Sequence, residues 1–432
     1  MRFNEIIRNR AYCFLSYLRS DKTNAYSKEL ALFREAGRPI ARVEEKLRTF
    51  LHAAQRNTSK YRTYSGNFNL DSYPVITKKQ IKADADAYLT KMFPTEQLLK
   101  VHTSGSYGTP IDFYFTKDKK MRQRAEVIYY SSFSGYNVGV KHALFMSNPR
   151  KSRFKYWLQN ETLVASKNLD EVFLTYGRTL LRNKKIRILI GFPSAIAFLA
   201  QYCIDLGDNP ADFGVEGVIT CSENLTDHKR RAIADAFGCS VHNRYSTEEL
   251  GVLAYEFDAL SGFEVNTFNY IVEILEMDSD TTVLPGQIGR VVVTDLHSDA
   301  MPLIRYETGD LAVMKEAYEG TGWVKSFSKF SGRGVQILTD TQGNKLYPLY
   351  LDSIMENYDQ FNQYQFIQET AKEYTLQLVL NLPAIPDSMN ERLTADFKKW
   401  LGIDAMISIR KVNDIIALPS GKRPYVINRY AE

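Results

Sequence analysis

The stretch Ile186-Arg187-Ile188-Leu189-Ile190-Gly191-Phe192-Pro193-Ser194-Ala195-Ile196-Ala197-Phe198-Leu199 decides the fold class of this chain. Residues 186–190 read as a short β-rich run, and residues 193–206 follow with the texture of a helix. The unit repeats downstream, with a strand expected over 215–220 and a helix over 226–237. Strand and helix in alternation predict a mostly parallel sheet covered on both faces, the α/β class. Upstream, residues 2–53 carry apolar side chains at helical spacing among scattered Lys and Arg, for example Ile40, Val43, Leu47 and Leu51. A helical cap over residues 1–56 is expected, with a membrane-surface helix as the second reading. Between Tyr270 and Leu311 the texture turns to Thr, Val, Ile, Gly and Pro, which predicts a β-rich subdomain closing the large body. After Ser331-Gly332-Arg333-Gly334 the pattern restarts. A strand is expected over 335–338, a turn over 341–344, a helix from Leu349, a strand over 374–380, a helix from Ser388 and a strand over 407–412. The expected division is a large N-terminal domain over 1–331 and a small α+β C-terminal domain over 332–432.

Composition narrows the function classes. The chain has 432 residues, 44% apolar and 24% charged, which are ordinary globular values and argue against a disordered, collagenous or coiled-coil protein. Fifty-five basic against 50 acidic residues give +5 with no block of like charge, so no nucleic-acid partner is expected. Cys13, Cys203, Cys221 and Cys239 lie far apart without a CxxC pair, which fits neither a zinc site nor a disulfide framework; a reducing, cytoplasmic setting is expected. No apolar run approaches the roughly 20 residues of a membrane span. Residues 11–18 read as helix rather than signal peptide. His102, His142, His228, His242 and His297 show no metal spacing and are read as structural.

Four short motifs carry chemistry. Thr103-Ser104-Gly105-Ser106-Tyr107-Gly108-Thr109-Pro110 follows a short strand, residues 99–102, and has the makings of a phosphate cradle: glycines let backbone N–H groups approach an anion, and hydroxyls add donors. It lacks the Gly-Lys-Ser/Thr of a P-loop. Asn243-Arg244-Tyr245-Ser246-Thr247-Glu248-Glu249-Leu250-Gly251 brings two carboxylates to a hydroxyl-rich strand end, where one could hold Mg²⁺ beside phosphate oxygens; a solvated helix N-terminus is the plainer reading. Leu303-Ile304-Arg305-Tyr306-Glu307-Thr308-Gly309-Asp310 ends a β run on an aspartate able to accept from two vicinal hydroxyls, or on a simple Gly-Asp turn. Leu418-Pro419-Ser420-Gly421-Lys422-Arg423-Pro424-Tyr425 puts a lysine on a Pro/Gly loop, where an ammonium can meet charge developing on phosphorus.

These motifs and SGRG, in this order, resemble the adenylate-forming superfamily of acyl ligases, most of all its phenylacetate-coenzyme A ligase branch and that branch's relatives in capsular polysaccharide biosynthesis. Tyr73-Pro74-Val75-Ile76-Thr77-Lys78 and Ala300-Met301-Pro302 extend the likeness, which runs from about Asn57 to Tyr430. The resemblance implies ATP-dependent activation of a small-molecule carboxylic acid as its adenylate, release of pyrophosphate, and transfer to coenzyme A. Transfer to a sugar or carrier in surface polysaccharide assembly is the alternative. It implies a mobile C-terminal domain and a homodimer as well. By position, Thr103, Ser104, Gly105, Ser106 and Gly108 would hold the ATP phosphates, Glu249 would bind Mg²⁺, and Asp310 would bind the ribose. Ser222, Glu223, Tyr245, Thr247 and Arg333 would complete the nucleotide site, and Lys422 would contact the reacting carboxylate and α-phosphate. The acid pocket is expected near residues 129–136. Three departures stand out. Ser246 replaces the family's motif glycine and Glu248 its usual threonine, although a shift by one would make Thr247 and Glu248 the Thr-Glu pair. The hinge Gly332-Arg333-Gly334-Val335-Gln336 lacks both family acids. Tyr107 and Thr109 replace a small hydroxyl residue and a lysine. The hinge and Glu248 departures leave open a nucleotide-binding homologue without turnover.

Overall fold

The computed structural model describes residues 2–102, 111–147, 151–332, 336–358, 361–380, 384–418 and 423–430. The chain forms two compact units, each drawn from two stretches of sequence: Met1–Val140 with His242–Phe330, and Lys141–Val241 with Ser331–Glu432.

The first unit opens with three helices, Phe3–Leu18, Thr23–Glu35 and Ile40–Asn57, where a helical cap over 1–56 was expected. The third buries Val43, Leu47, Phe50, Leu51 and Ala54, the three-and-four spacing that puts one stripe on the core. A charged helix, Lys117–Ser132, packs on the second of the three. Strands follow in the order Tyr270–Leu275, Ile288–Asp295, Tyr306–Ala317, Val324–Ser331, Gly262–Val265, Gly251–Asp258 and Ser240–Thr247. Pairings here between strands adjacent in sequence are antiparallel, as between Tyr270–Leu275 and Ile288–Asp295 or, across the short turn 248–250, Ser240–Thr247 and Gly251–Asp258. The Thr, Val and Ile texture from Tyr270 onward thus forms the expected β-rich region. A separate hairpin pairs Leu99–His102 with Asp112–Phe115, so that His102 and Asp112 face each other across the ladder.

The second unit holds the strand and helix alternation. Gly217–Cys221, Ile188–Gly191, His142–Met146 and Glu161–Ala165 lie in that order, all parallel. Helices Glu171–Lys184, Pro193–Asp205 and Asp227–Phe237 supply Leu181, Ile196, Leu199, Ala200, Ile233 and Phe237 to a core with Phe145, Val164, Leu189 and Val218. The helix expected over 226–237 starts at Asp227 because the Thr226 hydroxyl caps it, accepting from the Lys229 N–H at 3.4 Å.

After Ser331 the same unit continues with a second sheet, Met406–Lys411, Glu373–Leu380, Phe361–Gln368 and Val426–Asn428 in that order, covered by Asp387–Leu401. Leu376, Leu378, Leu393, Phe366 and Phe397 form its core. The expected turn lies between the paired strands Leu338–Thr339 and Lys345–Leu346. The strand Phe361–Gln368 is an addition to the sequence reading. Its Gln363, Gln365 and Gln368 are buried, so it carries no apolar alternation to announce it.

Candidate active site

Two strands and one turn of the first unit converge on a pair of buried carboxylates. Ser240–Thr247 and Gly251–Asp258 form a hairpin, so residues 248–250 are a β-turn, where a solvated helix N-terminus was the plainer expectation. The turn sends its neighbouring acids opposite ways: Glu248 is exposed and Glu249 is 1% exposed. The Tyr306 hydroxyl donates to Glu249 Oε1 at 3.2 Å. Tyr306 begins the strand Tyr306–Ala317, and Asp310, also buried, lies four residues along it. The Tyr245 hydroxyl donates to Asp310 Oδ2. Tyr245 is itself held by Phe330, ring centroids 4.5 Å apart, and by Phe327. Burial raises the Tyr306 hydroxyl far above its ordinary range, with Asp310 and Glu307 adding to the effect, so this group stays a donor at neutral pH.

The turn is clamped from behind. Tyr270 donates to the Leu250 carbonyl at 2.6 Å, Gln123 donates to the same oxygen at 2.9 Å, and the Val252 N–H donates to Glu126 Oε2 at 2.8 Å. Glu126 also accepts from Asn269 and lies 2.9 Å from the Tyr270 hydroxyl oxygen, and Lys119 pairs with Asp295 at 2.6 Å. Burial pushes the Glu126 carboxyl up to about 7, against the pull of Lys119 and of its donors. Lys119, Gln123 and Glu126 fall on one face of Lys117–Ser132, a spacing that could have flagged them in the sequence. Gly251 sits where this clamp meets the turn. Its φ is +128°, and a Cβ there would lie 2.3 Å from Glu126 Oε2.

The motif hairpin joins the same cluster. Phe113, on Asp112–Phe115, packs edge-on against the Tyr306 ring at 6.0 Å. The Tyr73-Pro74 lead-in and the Ile304-Arg305-Tyr306 stretch also meet. Arg305, in a buried pair with Glu273 at 3.0 Å, donates to the Tyr73 carbonyl at 2.9 Å, and the Ile76 N–H donates to the Arg305 carbonyl at 2.9 Å. Thr247 is half-buried at the hairpin end, its hydroxyl accepting from the Leu250 N–H. Thr103, Ser104, Gly105, Ser106, Gly108, Arg333 and Lys422 lie outside the described residues.

Ser222 and Glu223 belong to the second unit, in the loop after Gly217–Cys221. Ser222 is exposed with φ +72°. Glu223 accepts from the Ser194 N–H at 3.2 Å, at the start of Pro193–Asp205, and from the Arg423 N–H at 3.4 Å. A cavity of about 40 Å³ lies beside it, lined among others by Asn224, Lys229, Asp352, Tyr364 and Arg423. Asp352 accepts from Asn224 and Tyr364, each at 2.6 Å, so the loop carrying Ser222 and Glu223 is tied to the helix Leu349–Met355. Burial lowers the Lys229 ammonium, opposed by Glu223 and Asp352.

Among the described residues no cluster of three or more His, Cys, Asp or Glu could cage a metal. One buried carboxylate, Glu249, fits Mg²⁺ nonetheless, because that ion takes one or two protein carboxylates and completes its octahedron with phosphate oxygens and water. Asp310, held by Tyr245, fits the hydroxyl pair of a ribose.

Comparison with known proteins bears on this arrangement. Residues 338–429 match the family described as the CapK C-terminal domain. Protein CapK of Staphylococcus aureus is 23% identical over 433 residues, covering 95% of this chain and 94% of its own. Homology to CapK and to the phenylacetate-coenzyme A ligases, together with the fold, supports a place in the adenylate-forming acyl ligase superfamily, on their branch. Phenylacetate-coenzyme A ligase of Thermus thermophilus, on that branch, is 23% identical over 311 residues, 68% of this chain and 67% of that one. 2-Hydroxyisobutyryl-CoA ligase, solved in the postadenylation state with 2-HIB-AMP, superposes with a TM-score of 0.70 at 18% identity over 91% of this chain and 90% of that one. The mixed α/β architecture is the adenylate-forming ligase fold. Among the described residues, no helix is long and apolar enough to cross a membrane.

Proposed function

We propose that this chain activates a small carboxylic acid with ATP and passes the acyl group to coenzyme A. A carboxylate oxygen of the acid attacks the α-phosphorus, the bond from that phosphorus to the bridging oxygen breaks, and pyrophosphate leaves. A thiolate then attacks the acyl carbon and AMP departs. The observation that carries the reading is the joint placement of Glu249 and Asp310, from motifs far apart in sequence, each aimed by a tyrosine hydroxyl in one buried cluster. Asp310 would accept from the ribose, and Tyr245 fixes its carboxylate plane. We assign the metal to Glu249 over Glu248, since Glu249 is buried and Glu248 is exposed. Mg²⁺, when bound, neutralises phosphate charge and polarises the reacting phosphoryl group. The residues of 103–108 would cradle the phosphates, and Lys422 would meet the carboxylate and α-phosphate. Residues 332–432 would act as the lid that delivers it. Little covalent chemistry falls to the protein, whose contribution is position and charge.

The acceptor has a second reading. End-to-end likeness to CapK, against partial coverage of the phenylacetate-coenzyme A ligase, supports the sugar or carrier acceptor of the capsular branch. Product analysis decides between them: with the cognate acid, ATP and Mg²⁺, a thioester that appears only with coenzyme A is the expected result. Adenylate that accumulates unchanged with coenzyme A present rules out the thioester route.

A further inference from the structure

The helix Phe3–Leu18 is built inside out. Its face toward the body is polar: Glu5 and Ser16 are buried, and Asn9 donates from its side chain to the Val138 carbonyl at 3.0 Å. Gly139, at φ +96°, lets the helix backbone approach so closely that a Cβ there would lie 2.7 Å from the Glu5 carbonyl. The outward face is apolar. Phe3, Ile7, Phe14 and Leu18 recur three or four residues apart with Arg10 among them, flanked by Ile6 and Tyr17. Phe3 is 77% exposed, Phe14 61% and Tyr17 81%. The exposed charge on this element has one sign. Glu5 is its single acid and is turned inward, accepting from the Arg2 N–H at 2.7 Å, whereas Arg2, Arg10 and Arg19 are exposed.

We propose that Phe3–Leu18 is an interfacial anchor that lays its apolar stripe into an anionic lipid surface, with Arg2, Arg10 and Arg19 on the headgroups. An apolar stripe bordered by arginines, on a helix too polar to span, is the composition of a helix lying in the plane of a bilayer interface. Charge complementarity separates this occupant from a second copy of the chain. A twofold pairing of the same stripe would bury each Arg10 in an apolar seam with no exposed acid on either helix to receive it. The inference stands apart from the ligase reading, since none of these residues belongs to the candidate active site.

The test is co-sedimentation of the full chain with vesicles of phosphatidylglycerol and phosphatidylcholine in equal parts, beside vesicles of phosphatidylcholine alone. Partition onto the anionic vesicles is expected, weakened at least about tenfold by Phe14→Glu and several-fold by Arg10→Gln, with little binding to phosphatidylcholine alone. Tyr17→Ser provides a second apolar deletion at a still more exposed position, and far-ultraviolet circular dichroism confirms that each variant is folded. No partition of the wild-type chain, or partition equal in Phe14→Glu and Tyr17→Ser to that of the wild type, overturns the proposal. So does a dimer in sedimentation velocity that Phe14→Glu dissolves without any vesicle binding, which assigns the face to a second copy.

Discussion

Tyr245 and Tyr306 each commit a hydroxyl to one acid, Asp310 and Glu249 respectively, and so set two carboxylates in fixed orientations inside one buried cluster. Asp310→Asn keeps the shape and removes the charge, so ATP affinity measured by calorimetry should fall roughly tenfold, the worth of a charge-assisted hydrogen bond. The two neighbouring glutamates separate cleanly in a magnesium titration. Glu249→Gln should raise the Mg²⁺ concentration needed for half-maximal activity by about tenfold or more, while Glu248→Gln, exposed on the turn, should leave it unchanged. A reversed result would move the ligand to Glu248. The carboxylates themselves were legible from motif order. Their tyrosine partners were only half legible. Tyr245 lies inside a motif, but the role of Tyr306 depends on a turn and a strand start that meet only in the folded sheet. Glu126 and Lys119 were not legible at all, because the charged and amide residues crowded into Lys117–Ser132 look like a solvated face until Tyr270 and Asp295 are brought over them.

At the level of elements, the turn 248–250 shows how backbone geometry serves the site. Gly251→Ala must place a methyl against Glu126 and Tyr270 at a φ that L side chains rarely adopt, and should cost about 2 kcal/mol in urea unfolding, with activity falling as the turn shifts. An alanine variant as stable as the wild type would mean that the clamp yields without cost. Strands and helices with strong periodicity stood out in the sequence: Gly217–Cys221, Asp227–Phe237, Glu373–Leu380 and Asp387–Leu401 fall within a few residues of expectation. Phe361–Gln368 and Val426–Asn428 did not. The first hides behind buried glutamines, of which Gln365 donates to the Pro424 carbonyl at 2.7 Å and Gln368 to the Thr339 hydroxyl at 2.7 Å. The second is three residues long and becomes a strand only by pairing parallel to Phe366 through Gln368.

At the scale of the whole chain, α/β alternation, a β-rich region and a C-terminal α+β segment were all written in texture, because each reflects local periodicity. What texture cannot encode is which distant stretches share a unit. Lys141–Val241 is grouped with Ser331–Glu432, and Asn224 with Asp352, by contacts between stretches remote in sequence. Such grouping matters for function, since the loop bearing Ser222 and Glu223 is thereby tied to the C-terminal segment that also carries the lysine motif. Acyl-adenylate formation is read out by pyrophosphate release from ATP and Mg²⁺ with pooled carboxylic acids, with Lys422→Ala measured beside the wild-type chain. Release should depend on one acid pool and fall by about two to three orders of magnitude in Lys422→Ala, with the fold intact. Acid-dependent release that Lys422→Ala leaves at full rate, or ATP binding with no release from any pool, would contradict it.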